Sequence, residues 1–472
     1  FPTRRSSDPL YRTYGKQDAL AEQLSLFKGS ATIERDWIRY QGRFKGMSNW
    51  VGSSSSCWGD PAEASDGKGI NLARGAENAG LHGAWRKARS GRTGYADPAH
   101  PFRHQGSADL NTYKMFLEQA HALLRADGQL GFIVPSGLYT DKGTTSLREL
   151  FLGACRWQWL FCFENREGIF DIHRSFKFAP VIVQKGGSTV AVRAAFMRRR
   201  LEDWEEAERY VLAYPRTQVE KFSPKSKAIL EIPSATDLAI LINMYAAGVL
   251  LGADTRWNFV YGTELHMTND SKLFPPADKW RKSSFEPGSY GLWFKATWKS
   301  QREAANRGEQ FSRVDGQGEA SLEAVEEIAV PLYEGRMIGQ NDYSKKGWVS
   351  GKGRTAVWRE IGFEHKTVEP QYLLSKKDYL ESEKVYRAPK IAYMRISSGT
   401  NARTMIATFL KSEPAGDSVF FYRNRDADAA RCLMAAAYMN TLAYDYGARL
   451  RLGGLNMSEF VVSETSLPAL GQ

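Results

Sequence analysis

Cysteine and histidine are scarce in this chain, and their spacing excludes two classes of small site. Among 472 residues there are four cysteines and seven histidines. No two cysteines form a Cys-x-x-Cys pair, so neither a zinc ribbon nor a disulfide framework is indicated. The histidines show no metal-ligand spacing. We therefore expect no metal site, and the thiols fit a reducing compartment such as the cytoplasm.

Long hydrophobic runs are also missing. No stretch reaches the roughly 18 consecutive apolar residues that a membrane span needs, so we expect no membrane partner. With 42% hydrophobic and 25% charged residues, the composition is ordinary for a folded protein. A chain of this length can form two or three domains, each with its own core.

Acidic residues are outnumbered by basic ones. The chain has 64 Lys and Arg against 53 Asp and Glu, which gives a formal net charge of +11. Such a balance favours a polyanionic partner. Charge alone is equally compatible with basic residues dispersed over the surface.

The most informative stretch runs from residue 108 to residue 150. Its first part, Asp109–Ala126, has the apolar spacing of an amphipathic helix. Asp109 is a suitable N-cap, and Asp127 with the following glycine is typical of a helix end. Leu130–Val134 is then a short apolar run, which indicates a buried strand. A helix, a glycine turn and a buried strand predict one step of a parallel α/β sheet.

The segment Ser136–Asp141 follows the predicted carboxyl end of that strand, where open α/β sheets bind ligands. A second helix is predicted from Lys142. Further strands are predicted at residues 157–163, 179–184 and 190–197, and Lys185–Gly187 predicts a hairpin turn between the last two. A charged amphipathic helix is predicted at residues 198–209. Residues up to about 200 thus indicate the second half of a mixed α/β sheet that ends in an antiparallel hairpin.

These motifs resemble the adenine-specific DNA methyltransferases of the restriction–modification type, in particular the type IIG-like Asn-Pro-Pro-Tyr class. The matching residues are Asn111, Tyr113 and Phe116, then Gly128–Pro135, Leu147-Arg148, Phe163–Asn165, Gly168–Phe170 and His173–Phe178. The resemblance implies a Rossmann-like catalytic domain followed by an α+β target-recognition domain. It assigns residues 8–200 to the back part of the catalytic domain, with a Gly/Ser-rich insertion at 46–106. Residues 201–234 become a connector and residues 235–472 the recognition domain.

The C-terminal part carries a second set of matching features. An apolar helix is predicted at residues 236–251 and another helix at 431–450. The family's recognition domain has a Gly-Arg turn after an apolar strand, a strand that ends in Arg, and a final Leu-Pro. Here these are Gly335-Arg336, Arg395 and Leu467-Pro468.

The resemblance implies that double-stranded DNA is the partner, because arginine can bond guanine edges or neutralise phosphates. The candidate DNA contacts are Arg336, Gln340, Asn341, Lys345, Arg395 and Arg403. Each of them alone is more typical of a solvated surface. Their clustering near the matching turns carries the prediction.

The implied reaction moves a methyl group from S-adenosylmethionine to the exocyclic amine of adenine, which must be flipped out of the duplex. Phe170 is the candidate for stacking on that base, with Phe176 and Phe178 as competitors, and the alternative for Phe170 is a core residue. Asn111 is a candidate for the cofactor or the catalytic turn, and its alternative is a polar residue that satisfies nearby backbone. Phe116 is a candidate for the cofactor's adenine pocket, although an aromatic on a helix stripe usually belongs to the core.

Two family features are missing from the sequence: the Gly-rich cofactor loop and the Asn-Pro-Pro-aromatic turn. The string Asp8-Pro9-Leu10-Tyr11 is either a degenerate form of that turn or lies just downstream of it on a truncated chain. We further expect residues 1–7 to be a cloning or sequencing artefact, and a missing N-terminal half, with or without a nuclease, to be a partner.

The sequence thus predicts a DNA adenine N6-methyltransferase fragment that is inactive alone. The main alternative is a non-catalytic, specificity-type DNA-binding protein. A third reading is an unrelated α/β enzyme, which would show no salt-dependent DNA binding.

Overall fold

The computed structural model describes residues 16–40, 102–106, 111–253, 256–300 and 310–470. The chain divides into two compact units: Phe1–Glu220 with Lys225–Ile229, and Lys221–Pro224 with Leu230–Gln472. Residues 1–7, the string at residues 8–11 and all of the predicted insertion except 102–106 lie outside the described residues. Within the described ranges, no helix is both long enough and apolar enough to cross a bilayer.

The first unit contains eight α-helices and five strands among its described residues, counting one helix at residues 31–40 and one that ends at Phe222. The helices are α1 (Lys16–Gly29), α2 (Thr112–Leu123), α3 (Gly137–Thr140), α4 (Thr145–Gly153), α5 (Glu202–Glu205), α6 (Ala207–Tyr210) and α7 (Arg216–Phe222). Residues 31–40 are also helical. The strands are β1 (Gln129–Pro135), β2 (Cys155–Glu164), β3 (Lys177–Lys185), β4 (Ala191–Arg198) and β5 (Leu212–Pro215).

These strands form one mixed sheet in the order β1-β3-β2-β4-β5. Strand β3 is antiparallel to both β1 and β2, and β2 is parallel to β4. Strands β1, β2 and β4 therefore run in one direction, and β3 and β5 run in the other. The α/β class and the first four strands are confirmed, whereas the Rossmann-like assignment stays a prediction. The sequence predicted that β1 belongs to a parallel sheet. This is wrong for the strand that pairs with β1, because β3 runs antiparallel to it.

The predicted hairpin between β3 and β4 is wrong, because β2 lies between them. The chain does turn at Lys185–Gly187, where both glycines have positive φ. It is then held against the start of β2 by the buried Thr189, whose hydroxyl lies 2.9 Å from the carbonyl oxygens of Phe151 and Cys155. The same hydroxyl accepts the Trp157 N–H at 2.9 Å. Strand β4 therefore joins β2 on the side away from β3, and the antiparallel hairpin is β2–β3.

Two predicted helices of this unit have different bounds. Helix α2 ends at Leu123 because Leu124 adopts an extended conformation, and the predicted start, Asp109, lies outside the described residues. The single charged helix expected at residues 198–209 is replaced by two helices of one turn each, α5 and α6. Strand β5 follows them within the predicted connector and forms one edge of the sheet.

The second unit is built mainly from short antiparallel strands. Its helices are α8 (Ala235–Ala247), α9 (Ala277–Lys282), α10 (Lys376–Glu381), α11 (Ala429–Met439), α12 (Leu442–Arg451) and α13 (Glu459–Ser463). Its strands are β6 (Gly248–Leu250), β7 (Phe259–Gly262), β8 (Glu286–Pro287), β9 (Trp293–Ala296), β10 (Gln310–Ser312), β11 (Glu319–Ser321), β12 (Val325–Pro331), β13 (Lys346–Ser350), β14 (Val357–Glu360), β15 (Leu373–Ser375), β16 (Lys390–Met394), β17 (Ala407–Leu410), β18 (Val419–Asn424) and β19 (Ser466–Pro468).

Two four-stranded sheets organise this unit, with the orders β17-β16-β18-β7 and β15-β12-β9-β8. One core cluster joins the first of these sheets to α11 and α12, through residues such as Ile391, Tyr422, Ala436 and Tyr444. Because apolar side chains of a sheet and of two helices share this core, the helices fix the sheet from one side.

Both long helices predicted for this unit are shorter in the structure. Helix α8 ends at Ala247 because Gly248 begins β6, where a Cβ would overlap Ser466 and lie 2.6 Å from the Leu467 carbonyl oxygen. The helix predicted at residues 431–450 is broken into α11 and α12. Asn440 lies at the break, and Thr441 is the N-cap of α12, accepting the Tyr444 N–H.

Candidate functional site

A loop of residues 165–176 connects β2 to β3 and carries two exposed aromatic residues, Phe170 and Phe176. In the sheet, Phe178 pairs with Pro135 of β1 on one side and with Phe163 of β2 on the other. The loop therefore lies at the carboxyl ends of β1 and β2, the edge that precedes the segment Ser136–Asp141. This is the edge at which the sequence predicted a ligand site.

Phe170 lies near the tip of this loop and is only partly packed. Its ring meets Phe178 edge-on, with 4.7 Å between centroids and an interplanar angle of 76°, and 41% of the residue is exposed. Phe178 is buried and stacks on Phe163, as expected of a core residue. Phe176 is more exposed than Phe170. Phe170 thus combines a fixed edge with an accessible ring, whereas Phe178 is enclosed.

Asn165 holds the loop in shape, a role that sequence reasoning did not assign although it matched this residue to the family. The residue is fully buried. Its Nδ2 donates to the carbonyl oxygens of Phe170 and Ile172 at 2.9 and 3.0 Å, and its Oδ1 accepts the Phe170 N–H at 2.9 Å. The amide therefore uses both its donors and its acceptor on the backbone around Phe170. In the sequence, this role could have been recognised from the position of Asn165 between an apolar strand and Gly168. In the structure, Gly168 has φ of 75°.

Arg148 fixes the segment that follows β1. Its guanidinium is fully buried and donates to the carbonyl oxygens of Leu138 and Asp141, both at 2.7 Å. It also donates to the Ser226 carbonyl oxygen at 2.6 Å. Arginine has five N–H donors and no acceptor, so a buried one needs several oxygens around it. Here those oxygens belong to the backbone of the strand-end segment, which is thereby held in one conformation.

Tyr113 and Asp141 approach each other over Gly137. A Cβ on Gly137 would lie 2.6 Å from Asp141 Oδ2 and 3.1 Å from the Tyr113 hydroxyl, so this close approach requires glycine. Burial, and secondly the Asp141 carboxylate, raise the pKa of Tyr113. The hydroxyl stays protonated and can donate a hydrogen bond. Tyr113, which the sequence matched to the family without assigning it a role in the site, is thus placed at the strand end.

The other two candidates on α2 are open to solvent. Asn111 occupies the N-cap position, is exposed and makes no capping hydrogen bond with its side chain. Phe116 is 64% exposed, so its alternative as a core residue is wrong. Within the described part of the chain no aromatic ring contacts it. The roles of Asn111 and Phe116 stay predictions.

The candidate DNA contacts of the second unit come together at one end of the sheet β17-β16-β18-β7. Met394, the last residue of β16, pairs with Val419, the first residue of β18, and β17 begins opposite Tyr393. Arg395 follows β16, and Arg403 precedes β17. The remaining candidates lie in the segment 335–345, whose first residue, Gly335, donates its N–H to Ser418 Oγ at 3.0 Å.

Two of these arginines are largely engaged inside the unit. Arg395 donates to the Asp417 carbonyl oxygen at 3.2 Å, and its guanidinium lies over the Phe420 ring. Arg403 is 3.6 Å from the Asp445 carboxylate and donates to the Asn440 carbonyl oxygen. Both guanidiniums thus anchor neighbouring turns.

Arg336 and Lys345 are exposed. Arg336 belongs to a short 3-10 turn, Gly335–Met337, in which the Met337 N–H donates to the Glu334 backbone carbonyl oxygen at 2.9 Å. Burial raises the pKa of the Glu334 carboxyl to about 7, and Arg336 opposes that shift. The turn therefore exposes the Arg336 guanidinium to solvent, whereas the carboxyl group of Glu334 is largely buried.

The two amide candidates are held by other residues of the unit: Gln340 by Arg403, itself a sequence candidate, and Asn341 by Asn440, which the sequence did not indicate. Gln340, oriented with its oxygen toward Arg403, accepts from that guanidinium at 2.9 and 3.2 Å. Asn341 is exposed and has φ of 54°. Its N–H donates to the Ala407 carbonyl oxygen at 2.9 Å, and its Oδ1 accepts from Asn440 Nδ2 at 2.8 Å. Among the described residues, no group of three or more His, Cys, Asp or Glu could hold a metal ion.

Comparison with known families gives one match. Residues 95–170 match the family described as Eco57I restriction-modification methylase. The matched segment covers well under half of the chain, and it ends at Phe170. It supports a restriction–modification methyltransferase. A search of curated proteins found no match.

Solved structures of restriction–modification enzymes show weak likeness. A modification subunit of a putative type I restriction enzyme from Vibrio vulnificus YJ016 aligns with a TM-score of 0.22 and 13% identity, over 26% of this chain and 31% of that chain. A chain of a type I R-M system aligns with a TM-score of 0.23 and 17% identity, over 28% and 36%. The type IIG restriction endonuclease BpuSI aligns with a TM-score of 0.29 and 13% identity, over 78% and 43%. The alignments span less than half of each of these chains, and TM-scores of this size do not establish a shared fold.

Proposed function

We propose that this chain is part of a DNA adenine N6-methyltransferase of a restriction–modification or phage-defence system. The first unit would hold a flipped adenine, and the second would bind the surrounding double-stranded DNA. One observation carries the proposal. The partly exposed Phe170 lies at the carboxyl ends of β1 and β2, at the end of the segment that matches the methylase family.

The geometry of the loop suits a stacking role. A base that is methylated on its exocyclic amine has to leave the duplex, and aromatic side chains stabilise it by stacking. Phe178 fixes one edge of the Phe170 ring and leaves the remainder accessible. Asn165 orders the backbone on both sides of Phe170 before any base arrives. Little conformational entropy is then lost when the base binds.

Phe116, the residue predicted to line the cofactor's adenine pocket, is on an exposed face of α2, and the sequence contains no Gly-rich cofactor loop. Methylases of this kind generally use S-adenosylmethionine as the methyl donor. We therefore assign cofactor binding and orientation of the amine to residues outside this sequence, and expect the chain alone to be inactive.

In the second unit, Arg336 and Lys345 are the candidates for contact with DNA. Both are exposed cations next to one sheet end, where they can neutralise phosphate or bond guanine edges. Arg395 and Arg403 act instead as positioning residues, because their donors engage Asp417, Asn440 and Asp445.

Two measurements test the proposal. The full chain should bind duplex DNA with an affinity that falls steeply with salt, because each neutralised phosphate releases counterions. With the N-terminal half of a related methylase supplied in trans, it should transfer label from radioactive S-adenosylmethionine to adenine. Salt-independent binding would contradict the proposal. DNA binding without any methyl transfer or cofactor binding would favour a non-catalytic specificity protein, which the missing catalytic turn also fits.

A further inference from the structure

At the sheet end that carries Gln340 and Asn341, hydrogen bonds fix which side-chain atoms act as donors and which as acceptors. Asn440 determines this assignment. Its Oδ1 accepts the Ala407 N–H at 3.0 Å, and its Nδ2 donates to the Ala407 carbonyl oxygen at 2.7 Å. Because one residue of β17 supplies both a donor and an acceptor, the two ends of the Asn440 amide cannot be exchanged.

The orientation of the Asn440 amide also fixes the orientation of the Asn341 amide. The atom of Asn341 that faces Asn440 Nδ2 at 2.8 Å is the oxygen, since two amide nitrogens would repel each other, and it shares the two N–H donors of Asn440 with the carbonyl oxygens of Ala407 and Ala436. The acceptor of Asn341 is therefore used inside the protein. Its Nδ2 has no acceptor among the described residues, and the residue is exposed. Asn341 thus presents a hydrogen-bond donor to solvent.

Gln340 follows the same logic. A guanidinium has donors and no acceptor, so we assign the atom that faces Arg403 at 2.9 and 3.2 Å as the Gln340 oxygen, at the expense of a 3.3 Å contact between the Gln340 nitrogen and the Met405 carbonyl oxygen. Its amide nitrogen is then directed away from Arg403. The two cations beside these amides, Arg336 and Lys345, can only donate.

The nearest carboxylates do not compete at this surface. The Oε2 atom of Glu334 is buried. Asp342 accepts from Lys366 Nζ at 2.7 Å. The four side chains Arg336, Gln340, Asn341 and Lys345, which we name the donor edge, therefore offer donors, and the neighbouring Asp342 carboxylate is paired with Lys366.

We propose that the donor edge reads guanine, an inference that rests on the proposed DNA-binding function. In the major groove, guanine presents two neighbouring acceptors, N7 and O6, whereas cytosine presents a donor and adenine a donor beside one acceptor. An amide whose two ends are both free can pair with adenine through one donor and one acceptor. Asn341 cannot do so, because Asn440 occupies its oxygen. At the base pairs it contacts, the donor edge discriminates against cytosine and adenine.

The test is selection of binding sites by the full chain from a pool of duplexes with a randomised central segment. The selected site should contain guanine at defined positions. The informative variant is Asn341→Asp, which keeps the shape of the side chain and the acceptor that faces Asn440. It tolerates the positive φ, since Asn and Asp both adopt this conformation. Its outward atom is an acceptor, so one guanine position should change to cytosine or adenine, with a shift of about tenfold in relative affinity.

Asn341→Gly is the matched control, because glycine also adopts positive φ and removes the side chain. It should lose the preference at the same position and gain no new one. Thermal unfolding of both variants verifies that they fold. A selected site without guanine would overturn the inference, as would an Asn341→Asp variant that keeps every guanine preference. Absence of any salt-dependent DNA binding by the unmodified chain would instead overturn the proposed function.

Discussion

Removal of the Asn165 side chain should release the loop that carries Phe170 without unfolding the sheet. Asn165→Ala deletes three hydrogen bonds of 2.9 to 3.0 Å to the backbone of Phe170 and Ile172. At about 1 kcal/mol net for each bond, the ordered loop loses up to about 3 kcal/mol. Because about 1.4 kcal/mol corresponds to a factor of ten, the open loop should become about a hundredfold more populated.

Hydrogen exchange measures this opening directly. The Ile172 N–H donates to the Phe170 carbonyl oxygen within the loop at 2.8 Å, and peptides that cover residues 166–176 should exchange faster in Asn165→Ala. Peptides from β1 should keep their protection. Ser175→Ala is the control, because it removes an exposed contact with His173 on the same loop and should change little. Equal acceleration in β1 would show that Asn165 supports the whole sheet, and unchanged exchange in the loop would refute its role.

Three further predictions concern single side chains. In a completed enzyme, Phe170→Ala should lower the methylation rate more than DNA affinity, and equal losses in the two assays would count against stacking. Arg336→Ala should weaken DNA binding and reduce the slope of log affinity against log salt by about one, whereas an unchanged slope would remove Arg336 from the interface. Burial raises the pKa of Glu334 from 4.5 to about 7, so its neutral form favours the folded state below its unfolded pKa, and this contribution is lost as pH rises through about 7. In Glu334→Gln, the unfolding free energy measured by urea titration should therefore decrease less than in the unmodified chain as pH rises from about 4.5 to about 7. An equal decrease in the variant would contradict the raised pKa of Glu334.

The strands of the first unit could be predicted because their signal is local. Apolar runs bounded by turn residues mark β1 to β4 to within a few residues. The order of the strands could not be predicted in the same way, since it depends on contacts between distant residues. The turn at Lys185–Gly187 is compatible with a hairpin. It is Thr189, through its contacts with Phe151 and Cys155, that places β4 beside β2 instead.

The ends of helices also depend on contacts between distant residues, which the local sequence pattern does not show. The apolar spacing of residues 431–450 favours one continuous helix. Asn440 interrupts it because its side chain bonds Ala407 and Asn341, both more than 30 positions away in the sequence. The capping residue Thr441 then allows a new helix to begin. A tertiary contact of one polar side chain therefore outweighs the local pattern.

The residues that position the candidate sites share one property that sequence motifs do not reveal. Asn165 and Asn440 are both buried, and each makes hydrogen bonds with a loop that exposes another side chain, Phe170 in the first unit and Asn341 in the second. A buried amide is costly unless all its hydrogen bonds are made, so each of them constrains the backbone or side chain that it contacts. The exposed residue then has one defined orientation before any ligand binds. A motif search finds the exposed aromatic or amide, whereas the geometry that would make it selective comes from the buried asparagine beside it.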